Sequence, residues 1–197
     1  MTKRPNVTPT LKVLTQSDFE PPPLATVGDQ HEDEIHLAAG RAIHRWEVVE
    51  HALGLLFGAL VGDVKGRLSL KPYGALTGFD VRRQLIMQIA EATFDNRPNK
   101  QLHDKIKTVV DGIANNAALR RNEIVHGLVV GKERSDRVHW FLEPSYHSTR
   151  ARRPNREPQY RYTSKEIEQL ARKFRLLDGM LHRLTKEVSA WRWKREQ

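Results

Sequence analysis

From Glu32 onward the apolar residues Ile35, Ala39, Ala42, Trp46, Val49, Leu53, Leu56 and Leu60 recur in alternating steps of four and three. An α-helix puts such positions on one face, because 3.6 residues make a turn, whereas a strand would scatter them over both sides. A second line, Val48, Ala52, Leu55 and Ala59, runs beside the first. The later half of this helix is therefore expected to be buried over a wide arc, at the centre of the molecule or at an oligomer interface.

The same periodicity predicts three further helices. Gly62 to Leu76 reads as a connector punctuated by Gly66, Pro72 and Gly74. A second helix is expected from after Thr77 to about Phe94, with Leu85, Ile89 and Ala92 inward, stopped by Asn96-Arg97-Pro98. A third starts near Asn99, a good N-cap, and turns Leu102, Ile106, Val109, Ile113 and Ala117 inward. Short extended runs follow at Leu128 to Val130 and Val138 to Leu142, which suggest a hairpin, with a third short strand around Tyr160 to Tyr162. Thr163 with Glu166 forms a capping box for a last helix that buries Ile167, Leu170, Phe174, Leu177, Leu181, Leu184, Val188 and Trp191. The expected fold is mainly α: a four-helix up-and-down bundle with a small β-hairpin inserted before the last helix. Residues 1–30, with five prolines and little periodic pattern, read as a flexible tail or a docking strand. Residues 31–197 read as one helical domain, in which 128–162 form the hairpin and a basic loop.

Several classes are excluded early. The longest apolar stretch, Ala52 to Gly62, is eleven residues, too short to span a bilayer. No membrane partner is expected. The first thirty residues lack the apolar core of a secretory signal, and the chain has no cysteine, so neither disulfides nor thiolate chemistry is available. The expected localisation is cytoplasmic. No Gly-rich phosphate loop, nucleophile elbow or zinc-ligand spacing occurs, and neither a cofactor nor a metal is expected. Net charge is +9, and residues 120–197 hold 19 Lys and Arg against 10 Asp and Glu, while residues 1–119 hold 14 of each. The whole excess lies in the second stretch, where it would attract a polyanion such as a nucleic acid. Basic surfaces also serve solubility or acidic protein partners.

At the start of that basic stretch stands Arg121-Asn122-Glu123-Ile124-Val125-His126-Gly127. It closes the third predicted helix, and Gly127 is expected to supply a left-handed stop. RNA cleavage without a metal needs a base for the 2′-hydroxyl proton, an acid for the leaving 5′-oxygen, and donors for charge developing on the phosphate. His126 can serve as base or acid, Arg121 presents a rigid fork to phosphate oxygens, and Asn122 can orient the imidazole or hold a phosphate oxygen. At about 100° per residue, Asn122 and His126 share a face while Arg121 and His126 stand about 140° apart. One regular helix does not set Arg121 beside His126; two motif helices paired across a two-fold axis would let both sets converge. The bland alternative is a helix end in which cations and a histidine simply answer the terminal carbonyls.

The Arg, four residues, His spacing, with a polar residue after the Arg and a Gly after the His, resembles the active-site motif of HEPN-superfamily proteins. A looser match extends over about residues 32 to 195. The resemblance implies an all-helical, metal-independent endoribonuclease with Arg121, Asn122 and His126 at a composite homodimer site, leaving 2′,3′-cyclic phosphate ends. It also implies a toxin or defence effector, with an antitoxin or regulatory protein as partner. The alternative within the family is a catalytically silent RNA- or protein-binding or dimerisation module.

Two lesser constellations complete the candidates. On the first helix His44, Glu47, His51, Gly54 and Gly58 lie within a narrow arc. Gly54 and Gly58 would let another helix approach closely while Glu47 and His51 face the motif as supporting residues, although a solvated polar strip is the plain alternative. Between the hairpin and the last helix, Arg150, Arg152, Arg153 and Arg156 lie in a Pro-rich loop near Trp140, Tyr146, Tyr160 and Tyr162. This set suits single-stranded RNA, with guanidinium contacts to phosphate and rings for base stacking.

Overall fold

The computed structural model describes residues 13–63, 68–96, 98–134, 137–145 and 158–196. The helices are α1 (Glu32–Val61), α2 (Leu70–Ala75), α3 (Phe79–Asn96), α4 (Lys100–Ile106), α5 (Asn115–His126) and α6 (Ser164–Glu196). A π-helical segment, Lys107–Ala114, joins α4 to α5, so that one helical rod runs from Lys100 to His126. Strands β1 (Gly127–Arg134) and β2 (Arg137–Pro144) form an antiparallel hairpin before α6. The fold is mainly helical with that small hairpin, as expected.

The core is the seam between α1 and α6. Ile35, Ala42, Trp46, Val49, Leu53, Leu56 and Leu60 of α1 are buried, and they meet Ile167, Leu170, Phe174, Leu177, Leu181, Leu184 and Val188. Trp46 sits at its centre, its ring edge-on to Phe79 (5.4 Å) and Phe174 (5.5 Å). Burying such a ring contributes on the order of 3 kcal/mol. Arg41 pairs with Glu168 near the start of both helices, and Arg192 donates to the Leu60 carbonyl near their ends, so α1 and α6 run parallel.

That direction corrects the up-and-down order. The connector after α1 contains the short helix α2, which packs back against α1: a Cβ at Gly54 would lie 3.0 Å from Leu70 and 3.2 Å from Tyr73. The chain thereby returns along α1 before α3 begins, which leaves the first and last long helices pointing the same way. Gly54 does admit a neighbouring helix, as expected. The inward register of α3 is also shifted. Ile86, Ala90 and Phe94 are buried, Leu85 and Ile89 only partly, and Ala92 is exposed. A helix covered on one side tolerates apolar residues on its flanks, which blurs the pattern.

Helix ends follow local chemistry. The Asn99 side chain accepts from the Leu102 N–H at 3.1 Å, the expected N-cap. Glu166 accepts from the Thr163 N–H at 2.7 Å. Gly127, by contrast, is no left-handed stop. Its φ of −77° and ψ of 158° are extended, and it opens β1 directly. A glycine is required there by crowding, because a Cβ would meet Leu142 at 2.8 Å and the Glu123 carbonyl at 2.9 Å. Among the described residues the left-handed glycines are Gly62, which ends α1, and Gly78, both at φ 87°.

Part of the expected tail is built into the fold. Leu14 and Phe19 are buried, Phe19 stacking on Phe174 at 6.0 Å. Asp29 exchanges backbone hydrogen bonds with Trp140 and accepts from the N–H and hydroxyl of Ser164, both at 2.7 Å. Residues 13–30 thus dock on the bundle; residues 1–12 lie outside the described residues. The third extended run is a single bridge, Leu142 to Tyr162. Among the described residues no helix is long and apolar enough to cross a membrane.

Candidate active site

The roll of α5 is set by its buried charges. Arg120 and Glu123 are both buried and pair at 2.9 Å. The Tyr162 hydroxyl donates to Glu123 at 2.6 Å, and the Tyr160 hydroxyl donates to the Glu123 carbonyl at 3.1 Å. Burial, then the negative charge of Glu123 and its hydrogen bond, push the Tyr162 hydroxyl well above its ordinary pKa. Two tyrosines from the segment before α6 therefore clamp one side of α5. With Glu123 and Ile124 inward, Leu119, Asn122, Val125 and His126 lie toward the outer side.

Arg121 is half-buried and held from three directions. Its Nη1 donates to Asn122 Oδ1 at 2.8 Å, its Nη2 lies 3.8 Å from Glu50 Oε1, and its guanidinium carbon sits 5.4 Å from the centre of the Trp46 ring. Arg121 and Asn122 line a surface pocket of about 300 Å³ together with Phe79, Asp80, Asn115 and Leu119. His126, one turn beyond Asn122, is exposed and makes no hydrogen bond or ion pair with a described residue. Arg121 and Asn122 are brought together, whereas Arg121 and His126 of one chain are not, in keeping with their angular separation.

Glu50 is the residue that sequence reasoning missed. Its buried carboxylate accepts from Trp46 Nε1 at 3.2 Å and from Arg82 Nη1 at 3.0 Å, so it joins α1 to α3 and approaches Arg121 of α5. A carboxylate between Val49 and Leu53, inside an otherwise apolar stripe, was the available signal. The Tyr73 hydroxyl nearby is buried without a hydrogen-bond partner among the described residues. Burial and then the Glu50 charge raise its pKa, with Arg82 acting in the opposite sense. Glu47, His51 and His44 are exposed, and no hydrogen bond or ion pair joins Glu47 or His51 to the motif. Among the described residues no cluster of potential metal ligands is present.

The aromatic set near the basic loop is used differently from the expectation. Tyr160 and Tyr162 are buried and stacked on each other at 5.2 Å, and so are closed to bases. Arg150, Arg152, Arg153, Arg156 and Tyr146 lie outside the described residues.

Chemically, the arrangement offers a guanidinium whose direction is fixed by Glu50 and Trp46, an amide beside it, and an open imidazole one turn away. An anion entering the pocket would meet Arg121 and Asn122 together. Comparison of the chain with family models, with curated proteins and with solved structures finds no match.

Proposed function

We propose that this protein is a metal-independent endoribonuclease of HEPN type, acting as a homodimer on RNA. The observation that carries the reading is the Arg121–Asn122 pair held at an open pocket by the buried Glu50, with His126 exposed one turn further along the same helix. In the proposed reaction His126 takes the 2′-hydroxyl proton and the 2′-oxygen attacks the adjacent phosphorus. The 5′-oxygen leaves and is protonated by the second imidazole, giving a 2′,3′-cyclic phosphate and a 5′-hydroxyl. Arg121 and Asn122 stabilise charge on the non-bridging oxygens, an electrostatic contribution of a few kcal/mol per donor.

One chain holds a single imidazole at this point, and the two proton transfers call for two groups. The exposed apolar residues Leu119, Val125 and Leu128 border the motif and support its pairing with a second copy, which would bring Arg121 of one protomer toward His126 of the other. The four long helical segments are compatible with the family's helical content, and the hairpin is an addition to it. A cytoplasmic toxin or defence role, restrained by an antitoxin or regulatory protein, belongs to the same reading.

Incubation of wild-type and His126→Ala protein with mixed single-stranded and structured RNA in excess chelator tests it. Cleavage by wild type alone, with cyclic phosphate ends, is the expected result, and an obligate monomer should be inactive. If the folded wild-type protein leaves the RNA intact but retains it, the site is a catalytically silent binding module. Growth arrest on expression, relieved by His126→Ala, would assign the toxin role.

A further inference from the structure

Helix α6 presents a ribbon of positive charge that the motif does not use. Lys165, Arg172, Arg175, Arg183, Lys186 and Lys194 are all exposed. At about 100° per residue they fall within an arc of about 100°, and at about 1.5 Å per residue they extend over about 44 Å of a straight helix.

The pairing pattern sets this ribbon apart from an ordinary solvated face. Exposed helices usually neutralise their cations with carboxylates three or four residues away. Here the described acids of the same helix are engaged with groups outside the ribbon. Glu166 caps Thr163, Glu168 pairs with Arg41 of α1 at 2.7 Å, Asp178 lies 2.8 Å from His182, and Glu187 pairs with Lys105 of α4 at 2.7 Å. None of the six ribbon cations pairs with a carboxylate among the described residues. Lys173 and Arg192, which lie off this arc, are bound to the carbonyls of Asp18 and Leu60. The positions that could be tied down inside the protein are tied down, and those along the ribbon are left open.

We propose that the outer face of α6 is a docking surface for the phosphodiester backbone of nucleic acid, with Arg172, Arg175, Arg183 and Lys186 at its centre. A row of cations spaced along one face of a helix matches a regular polyanion better than it matches the scattered carboxylates of a folded protein. Near the middle of the row stands Gly179, with no bulky side chain to keep a backbone away, and Trp193 near its far end is 66% exposed. The ribbon begins at the motif end of the bundle, because Tyr162, three residues before Lys165, is hydrogen-bonded to Glu123 of α5. The proposal deepens the ribonuclease reading and rests on it for nucleic acid as the partner; the charge pattern itself is independent of cleavage.

The test is the salt dependence of binding, measured in the full chain carrying His126→Ala so that cleavage does not interfere. The probes are a short RNA duplex, its single strand, and the DNA duplex of the same sequence. Six phosphate contacts predict about a 1000-fold loss of affinity between about 50 and 200 mM salt, and two contacts predict about a 10-fold loss. Replacing Arg172, Arg175, Arg183 and Lys186 together by Gln should therefore flatten the dependence from the first value toward the second. The exposed positions Arg45, Lys71, Lys100 and Lys107, replaced in the same way, should leave the ribbon's share intact. Ribbon-dependent binding to any of the probes supports the surface, and the probe with the largest ribbon-dependent loss identifies the source of the phosphate backbone. Equal losses from the two quadruple variants, or equal ribbon-dependent binding to anionic phospholipid vesicles or polyglutamate, overturn it. If unsubstituted protein cuts no RNA but its His126→Ala form shows the ribbon-dependent slope, the ribonuclease reading fails and the docking surface stands.

Discussion

Replacing Glu123 with alanine removes the carboxylate around which the motif helix is anchored. In the native protein that carboxylate faces Arg120 at 2.9 Å and accepts from Tyr162 at 2.6 Å, with Glu123 6% and the Arg120 side chain 10% exposed. The substitution leaves a guanidinium out of water with, among the described residues, only the Tyr162 oxygen, at 3.3 Å, to answer it. Breaking a buried pair in this way costs about 3–5 kcal/mol, a large share of the roughly 5–15 kcal/mol that holds a domain folded. With a urea m-value of about 2 kcal/mol/M, the unfolding midpoint should fall by about 1.5–2.5 M. Replacing both partners, Arg120→Met with Glu123→Leu, removes the desolvation cost along with the attraction and should recover most of the loss. Urea titrations followed by circular dichroism on the wild type, Glu123→Ala, the single variants Arg120→Met and Glu123→Leu, and their double variant complete the cycle. A Glu123→Ala shift below about 1 kcal/mol, or a double variant as unstable as the two singles added, would refute the view that this cluster is a coupled buried pair.

Other consequences are open to simple measurements. The buried Tyr73 and Tyr162 resist ionisation through burial and neighbouring carboxylates, so phenolate absorbance should show them silent in the native state. Because the unfolded chain ionises them near the ordinary value of about 10 while the folded chain does not, stability is complete below that pH and falls by about 1.4 kcal/mol per pH unit for each above it. Reversible titration of every tyrosine near pH 10 in the folded protein would contradict this. Burial opposes ionisation of Glu143, yet the hydrogen bonds and charges of Lys132 and Arg161 outweigh it and hold its carboxyl below the usual range. That contribution is present above the unfolded value and is lost as pH falls through the lower folded one. Glu143→Gln should therefore weaken the protein near neutrality yet reduce its loss of stability below about pH 4, and an unchanged acid profile would count against the assignment. Asn99→Ala should cost about 1 kcal/mol through loss of the cap on α4, and no change in the urea midpoint would show that the cap carries no weight.

How much of the site could be read from the chain depends on the range of the interactions involved. Arg121, Asn122 and His126 stand out through their spacing within one helix, and the separation of Arg121 from His126 follows from the helix repeat alone. Glu50 and Arg82 do not, since Glu50 approaches Arg121 from α1, 71 positions earlier in the numbering, and Arg82, 39 positions earlier on α3, reaches only Glu50. Glu47 and His51 were expected to face the motif, and the packing of α1 puts Glu50 there instead. Tyr160 and Tyr162 read as rings for nucleic acid because composition carries no information on burial; they serve as the clamp on α5.

The helices themselves were legible from end to end where one face is apolar and the ends carry their own chemistry. The stripes of α1 and α6, the Asn99 cap and the hairpin are set by interactions among residues a few positions apart, and such interactions leave a period in the chain. The parallel course of α1 and α6, the return through α2, the docking of Leu14 and Phe19, and the crowding that makes position 127 a glycine were not legible there. Each depends on surfaces that meet only after the bundle has closed, and the free energy of such contacts comes from shape and burial between distant segments, for which a linear pattern has no counterpart.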